Sequence, residues 1–206
     1  MLVIGLTGSI GMGKSTAANR FRTNGVAVFD ADAAVHQLYS GAAVRQIEEA
    51  FPGTTVNGIV DRQRLLAALM AEPAGFKKLE AIVHPLVREM EREFLRAEVA
   101  SGSAMAVLEI PLLFETGGDR LCDVTVVVSA PAEAQRERVL ARTGMTQDKL
   151  DEILSRQLPD TEKRRRADFV VDTGGPISES EAQIDRLVER LETRQGSAYQ
   201  RYWATG

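Results

Sequence analysis

A glycine-rich segment near the amino end contains a lysine followed directly by two hydroxyl residues, at the spacing that phosphate binding requires. Gly8-Ser9-Ile10-Gly11-Met12-Gly13-Lys14-Ser15-Thr16 satisfies G-x-x-x-x-G-K-[ST] and lies between an apolar run and a helical pattern. Its glycines lack Cβ atoms, so successive backbone N–H groups can turn toward phosphate oxygens. Lys14 would reach the β and γ phosphates, and the Ser15 hydroxyl would ligate Mg²⁺. The segment therefore predicts a nucleoside triphosphate site.

The rest of the chain narrows the reaction, because loops of this kind serve kinases, GTPases and motors alike. Guanine recognition would be expected to use an Asn-Lys-x-Asp segment, but none of Asn19, Asn24 and Asn57 precedes a lysine. A motor would usually need a longer chain and a coupled domain. An ATP-dependent small-molecule kinase fits best. The residues expected to bind ATP here are Gly11, Met12, Gly13, Lys14, Ser15 and Thr16, with Ser15 as metal ligand.

Carboxylates follow two of the predicted strands, at the end where open α/β sheets place ligand chemistry. Asp30-Ala31-Asp32 comes after the apolar run from Val26 to Phe29. Such a carboxylate could take the proton of an acceptor alcohol, or it could cap the next helix. We favour the base for Asp32 and the cap for Asp30. Glu109 could hold Mg²⁺ through water, orient the acceptor or pair with an arginine, and these alternatives stay open.

Basic residues supply further candidates. Arg138 and Arg142 are four residues apart and share a helix face, where they could neutralise charge on a transferring phosphoryl group. Spacing alone slightly favours a solvated basic face instead. His84 precedes Pro85 inside a long helical pattern, which predicts a kink or junction and a structural histidine. The run from Lys163 to Arg166 predicts a solvated or nucleotide-facing surface.

Length, charge and cysteine content exclude other classes of protein. The 206 residues fit one compact domain, and the net charge of −4 gives no basic field for nucleic acid or an anionic membrane. No apolar run approaches the roughly 18 residues that a membrane span needs. Cys122 is the single cysteine and cannot form a disulfide within the chain. This favours a reducing compartment, and we expect a cytoplasmic protein.

Short apolar runs alternate with segments of helical periodicity, which is typical of an α/β fold with a mostly parallel sheet covered by helices. The expected strands are Leu2 to Leu6, Val26 to Phe29, Ala104 to Ile110, Val124 to Val128 and Phe169 to Val171. The expected helices are Lys14 to Thr23, Ala33 to Tyr39, Val44 to Phe51, Asp61 to Met70, Phe76 to Val99, Pro131 to Ala141, Gln147 to Gln157 and Glu179 to Arg194. Asn57-Gly58 predicts a tight hairpin, Thr146 a helix cap, and Ser178 with Glu181 a capping box.

Two intervals between the predicted strands are longer than one connecting helix requires: Asp30 to Gly102 and Gln135 to Arg166. We expect a single domain over residues 2–203, with an inserted helical acceptor-binding subdomain at about 33–100 and a lid at about 131–166. Residues 195–206 are expected to form a loosely packed tail, although its aromatic residues could dock on a surface. The chain is expected to act as a monomer or weak homo-oligomer.

Several segments occur in an order that is more specific than any one of them. They are Ile4 to Ser15, Asp30 to Asp32, Asp61-Arg62, Leu79 to Pro85, Ile110 to Glu115, and Gln135 with Arg138 and Arg142. In this combination the chain resembles the dephospho-coenzyme A kinase family over nearly its whole length. The resemblance implies a P-loop fold like that of nucleoside monophosphate kinases, with a five-stranded parallel sheet. It also implies transfer of the ATP γ-phosphate to the ribose 3′-hydroxyl of dephospho-CoA, giving CoA and ADP.

The resemblance assigns roles to individual residues. It implies catalytic roles for Asp32, Lys14 and Arg142, ATP contacts for Arg138 and Arg142, and acceptor contacts for Asp32, Arg62, His84, Pro85 and Glu109. Members of the family often have Asp where Glu109 stands and Asn where Thr173 stands. The rival interpretations are another small kinase, acting on a nucleoside monophosphate or a sugar acid, and an ATP-hydrolysing switch without a phosphate acceptor.

Overall fold

A five-stranded sheet forms the centre of the fold. The computed structural model describes residues 1–205. The strands are β1 (Leu2–Thr7), β2 (Ala27–Asp30), β3 (Thr55–Val56), β4 (Ile59–Val60), β5 (Met105–Glu109), β6 (Val124–Ser129) and β7 (Phe169–Asp172). The central sheet has the order β2-β5-β1-β6-β7, and β1 runs parallel to both β5 and β6. The strands expected from the apolar runs are thereby confirmed.

The middle strand explains why the sequence revealed the sheet so clearly. Every residue of β1 is buried, and Ile4 is in register with Val107 of β5 and Val124 of β6. Strands covered on both faces appear in a sequence as continuous apolar runs. Because parallel strands end at the same edge, this register places the segment after β1 beside the residues that end β5 and β6.

The helices follow the expected order, with one addition. They are α1 (Lys14–Thr23), α2 (Ala31–Leu38), α3 (Val44–Ala50), α4 (Arg62–Ala71), α5 (Gly75–Ala100), α6 (Ala132–Leu140), α7 (Gln147–Ser155), α8 (Asp160–Arg166) and α9 (Ile177–Glu192). Helix α8 was not predicted, because its seven residues, DTEKRRR, carry no apolar periodicity. Short helical turns also occur at Gly118–Leu121 and Tyr199–Trp203.

Two of the predicted helix starts have different outcomes. The Thr146 hydroxyl accepts the backbone N–H of Lys149 at 3.3 Å, so the predicted cap of α7 is confirmed. The capping box at Ser178 is wrong, because α9 already begins at Ile177, directly after Pro176. The fixed φ of Pro176 prepares the chain for a helix without a side-chain cap.

Among the described residues, 30–94 form one compact unit, and residues 1–29 together with 95–205 form another. The smaller unit has its own apolar core, which includes Ile47, Phe51 and Leu65. It also contains the predicted hairpin: β3 and β4 pair antiparallel around Asn57 and Gly58, which have φ values of 52° and 77°. Both values are positive, as a tight two-residue turn requires.

Helix α5 passes through Pro85 as one continuous element of 26 residues, so of the kink or junction predicted at His84-Pro85 the junction is wrong and the kink stays a prediction. Proline removes one N–H donor and leaves a carbonyl one turn earlier without its helical partner. Here Ala81 and Pro85 are both exposed, so water can satisfy that carbonyl. The helix therefore tolerates the proline.

The carboxyl-terminal segment is docked rather than loosely packed up to residue 205, which corrects the expectation for residues 195–206, of which residue 206 lies outside the described residues. The indole N–H of Trp203 donates to the carbonyl of Leu121 at 2.9 Å, and Trp203 is 1% exposed. Asp123 accepts the backbone N–H groups of Ser197 at 2.6 Å and Val3 at 2.9 Å. One carboxylate thus ties the tail to the first strand.

Candidate active site

The phosphate-binding loop has the backbone conformation that its glycines permit. Gly11 and Gly13 have φ values of 78° and 83°, which strain residues that carry a Cβ. A Cβ on Gly11 would also lie 2.5 Å from a methyl carbon of Val139 in α6. Lys14 is the first residue of α1, so the positive end of the helix dipole points at the loop. This arrangement is suited to binding phosphate.

Lys14 pairs with the carboxylate that ends β5. Its Nζ lies 2.7 Å from Oε1 of Glu109, which is 2% exposed. The second oxygen, Glu109 Oε2, is buried without a hydrogen-bond partner within residues 1–205, and the nearest guanidinium atom of Arg22 lies 3.9 Å away. Glu109 therefore orients the lysine that would bind phosphate and keeps one oxygen free to accept a hydrogen bond.

Two glutamine side chains hold the residue at the outer turn of the loop. Gln135 of α6 donates to the carbonyl of Ile10 at 2.8 Å, and the N–H of Ile10 donates to Gln157 at 3.3 Å. The Thr173 hydroxyl, one residue beyond β7, donates to the carbonyl of Met12 at 2.8 Å. These contacts fix the loop backbone from outside. Sequence reasoning missed Gln157, because a neutral side chain outside any motif gives no signal.

A cavity of about 370 Å³ opens beside the loop, within the size range of small-molecule sites. Gly11, Gly13 and Thr16 line it together with Arg138 and Arg142 of the α6 region. The Arg138 guanidinium donates to the carbonyl of Thr173 at 2.6 Å. Because Thr173 also lines the cavity, this hydrogen bond holds the Arg138 cation at the cavity surface. Arg138 is half-buried and Arg142 exposed. The structure thus brings both predicted arginines to the cavity that borders the glycine loop.

The smaller unit carries the remaining candidates. Asp30 accepts the N–H of Ala33 at 3.0 Å, so Asp30 is the cap of α2 as expected, while Asp32 is an exposed carboxylate in the first turn. Arg62 donates to Nδ1 of His36, a histidine that the sequence did not single out. His84 and Pro85 are both exposed on α5. Asp32, Arg62, His84 and Pro85 are thus exposed and available to a ligand.

Comparison with known proteins decides the family. A protein of Brucella melitensis named dephospho-CoA kinase is 56% identical over 198 residues, which cover 96% of this chain and 99% of that protein. The sequence model of the dephospho-CoA kinase family matches residues 2–179 of this chain. The chain belongs to the dephospho-CoA kinase family. The resemblance inferred from the motifs is thereby confirmed.

Two solved structures have the same fold as this chain. A Thermus thermophilus protein has a TM-score of 0.79 and 34% identity, covering 92% of this chain and 97% of its own. A dephospho-CoA kinase from Campylobacter jejuni has a TM-score of 0.70 at 22% identity, covering 92% and 96%. The predicted P-loop fold with a five-stranded parallel sheet is confirmed. Among residues 1–205, no helix combines the length and apolar character that crossing a bilayer needs.

Proposed function

We propose that this chain transfers the γ-phosphoryl group of ATP to the ribose 3′-hydroxyl of dephospho-CoA, which yields CoA and ADP as the final step of CoA synthesis. The observation that carries the proposal is the arrangement at Lys14. This lysine ends a phosphate-binding loop and is held 2.7 Å from Glu109, and Arg138 and Arg142 line the cavity beside the same loop. Membership of the dephospho-CoA kinase family supplies the acceptor.

Positioning and charge neutralisation carry most of phosphoryl transfer, since little covalent chemistry is required of the protein. Backbone N–H groups from Gly11 to Thr16 would bind the phosphates of ATP, helped by the Lys14 ammonium. Arg142 would offset the charge that develops on the transferring group, and Arg138 would contact the nucleotide. Asp32 would accept the proton from the 3′-hydroxyl as the general base.

The chain's residues also fit a magnesium ion bound with ATP. Mg²⁺ prefers oxygen ligands and keeps several of its waters. Ser15 presents an exposed hydroxyl in the first turn of α1, and Glu109 has a buried oxygen without a partner among the described residues. Ser15 would hold the ion, and Glu109 would accept a hydrogen bond from one of its waters. When bound, the ion would neutralise charge on the phosphates.

We assign the acceptor side to the smaller unit. Arg62, His84 and Pro85 are exposed there, and an arginine suits the anionic phosphates of dephospho-CoA. The separate apolar core of residues 30–94 supports an inserted acceptor subdomain at about 33–100 within a single domain of residues 2–203. The lid at about 131–166, a monomeric or weakly associated state and a cytoplasmic location belong to the same proposal.

The test is an acceptor screen with coupled detection of ADP. We expect turnover with dephospho-CoA and little with nucleoside monophosphates, shikimate or gluconate. The Lys14→Ala variant is the matched negative, since it lacks the ammonium beside the β and γ phosphates. Turnover of a nucleoside monophosphate without turnover of dephospho-CoA would overturn the proposal, as would near-normal turnover by Lys14→Ala. ADP release with no phosphorylated product would favour an ATP-driven switch.

A further inference from the structure

A lysine in α8 is completely buried, although it opens a run of four basic residues. The Lys163 side chain is 0% exposed, whereas Arg164 and Arg165 on the same helix are exposed. The expectation of a solvated surface is therefore wrong for Lys163. Taking an ammonium group out of water is costly unless the group is paired and hydrogen-bonded. The contacts of Lys163 must therefore be specific.

Those contacts converge on the loop that follows β5. The Lys163 ammonium lies 3.0 Å from Oε1 of Glu115 and 3.5 Å from the carbonyl oxygen of Pro111. The same Glu115 oxygen accepts the backbone N–H of Leu158, just before α8, at 2.8 Å. The Thr7 hydroxyl donates to the Pro111 carbonyl at 3.0 Å. The Pro111 end of this segment is thus bound by Lys163 of α8 and Thr7 of β1, and its Glu115 end is bound by Lys163.

This loop is joined directly to the Lys14 partner. Glu109 is the last residue of β5, and Ile110 continues the ladder by donating its N–H to the carbonyl of Leu6 at 2.9 Å. Pro111 comes next. Thr7, which also binds the Pro111 carbonyl, immediately precedes Gly8 of the phosphate-binding loop. A shift of Pro111 would therefore displace Glu109 on one side and release a contact at the loop entrance on the other.

We propose that Lys163 is a positioning residue for phosphoryl transfer. Through Glu115 and the Pro111 carbonyl it fixes the segment after β5, and so keeps the Glu109 carboxylate on Lys14. This inference rests on the proposed function, because it assumes that Lys14 acts on the phosphates. A displacement of about 1 Å at a catalytic group can cost on the order of 10²-fold in rate.

The rival explanation is that the ion pair serves stability alone, and a double substitution separates the two. Lys163→Met by itself would leave the largely buried Glu115 carboxylate with one N–H partner, which is destabilising. Lys163→Met combined with Glu115→Leu replaces the pair by apolar side chains of similar size, and such replacements are often neutral or stabilising. The double variant should keep the fold while losing the ties to Leu158 and Pro111.

The experiment measures thermal unfolding, kcat and the KM for ATP in the intact protein. We expect the double variant to unfold near the wild-type temperature with little change in KM, while kcat falls roughly 10- to 100-fold. Arg165→Met is the matched control, because it removes one charge from the same helix at an exposed ion pair with Glu162. Its kcat should equal that of the wild type. Wild-type kcat in the double variant would overturn the proposal.

A further variant covers the case in which the double variant does not fold. Glu115→Gln keeps the size of the side chain and an oxygen that can accept the N–H of Leu158, but it removes the charge that holds the Lys163 ammonium. A lowered kcat with unchanged KM for ATP would support the proposal, and an unchanged kcat would overturn it. Wild-type protein that fails to phosphorylate dephospho-CoA would refute the proposed function instead. In that case the variants are compared with the acceptor that the screen identifies.

Discussion

At the scale of single residues, Glu109 contacts a partner that the sequence did not indicate, while the magnesium and acceptor roles considered for it stay predictions. Residue type and strand ends predicted that Lys14 and Glu109 would lie near phosphate, and they lie in contact at 2.7 Å. What the sequence could not predict is that the nearest cation to Glu109 is Lys14, with the guanidinium of Arg22 farther away at 3.9 Å. That pairing depends on the register of β1 against β5, which is a tertiary feature.

The roles of Asp30 and Asp32 can be separated by parallel substitutions. For Asp32→Asn we expect kcat to fall roughly 10²- to 10⁴-fold, the range for losing a general base, with ATP affinity by calorimetry unchanged. Asp30→Asn is the control, since asparagine caps a helix about as well as aspartate and should leave kcat near the wild-type value. An unchanged kcat in Asp32→Asn would reduce Asp32 to a surface carboxylate.

At the scale of elements, α5 contains a buried acid that links stability to pH. Glu91 is 3% exposed, and burial raises its pKa from 4.5 to about 7 even though Arg88 lies 3.0 Å away and lowers it. Between these two values the folded protein keeps a proton that the unfolded chain has lost. The free energy of unfolding should therefore decrease as pH rises through this window, by up to about 3 kcal/mol.

Glu91→Gln should remove that part of the pH dependence, because glutamine cannot ionise. Urea unfolding at pH 5 and at pH 8 measures this change in the free energy of unfolding directly. Glu93→Gln is the control, since Glu93 is exposed on the same helix. We expect the control to keep the wild-type slope and Glu91→Gln to show a smaller loss of stability between the two pH values. Equal slopes in all three proteins would contradict the assignment to Glu91.

The helices and strands also show how much of the secondary structure could be predicted from local sequence. The strands of the sheet and the hairpin at Asn57-Gly58 follow from periodicity and turn chemistry that act within a few residues. Helix α8 was missed because its stability comes from the buried Lys163 pair and from the Ser129 hydroxyl, which donates to Asp160 at 2.7 Å. Both contacts join distant parts of the chain, so composition alone does not reveal them.

At the scale of the whole molecule, the carboxyl-terminal tail is expected to contribute to global stability. Trp203→Ala should lower the free energy of unfolding by about 3–5 kcal/mol, because it empties a buried indole site. Tyr202→Ala is the matched control, since Tyr202 is 45% exposed. Its effect should be within about 1 kcal/mol. A loss within about 1 kcal/mol in Trp203→Ala as well, measured by urea unfolding, would mean that the tail docks without stabilising the fold.

Fold class, phosphate-binding loop and family could all be inferred from the sequence, since each depends on contiguous motifs and apolar runs. The sequence did not allow us to infer two other features: the contacts that hold the loop at Ile10 and the anchoring of the tail by Asp123. They join residues 74 to 147 positions apart in neutral or single-carboxylate pairs. Such pairs leave no periodic or compositional trace.

The central claim is transfer of one phosphoryl group from ATP to the 3′ oxygen of dephospho-CoA. The most direct measurement is phosphorus NMR of the products formed by the purified chain with ATP, Mg²⁺ and dephospho-CoA. We predict a new phosphomonoester on the 3′ oxygen in equal amount to ADP. Formation of ADP and inorganic phosphate, with dephospho-CoA recovered unchanged, would contradict the claim.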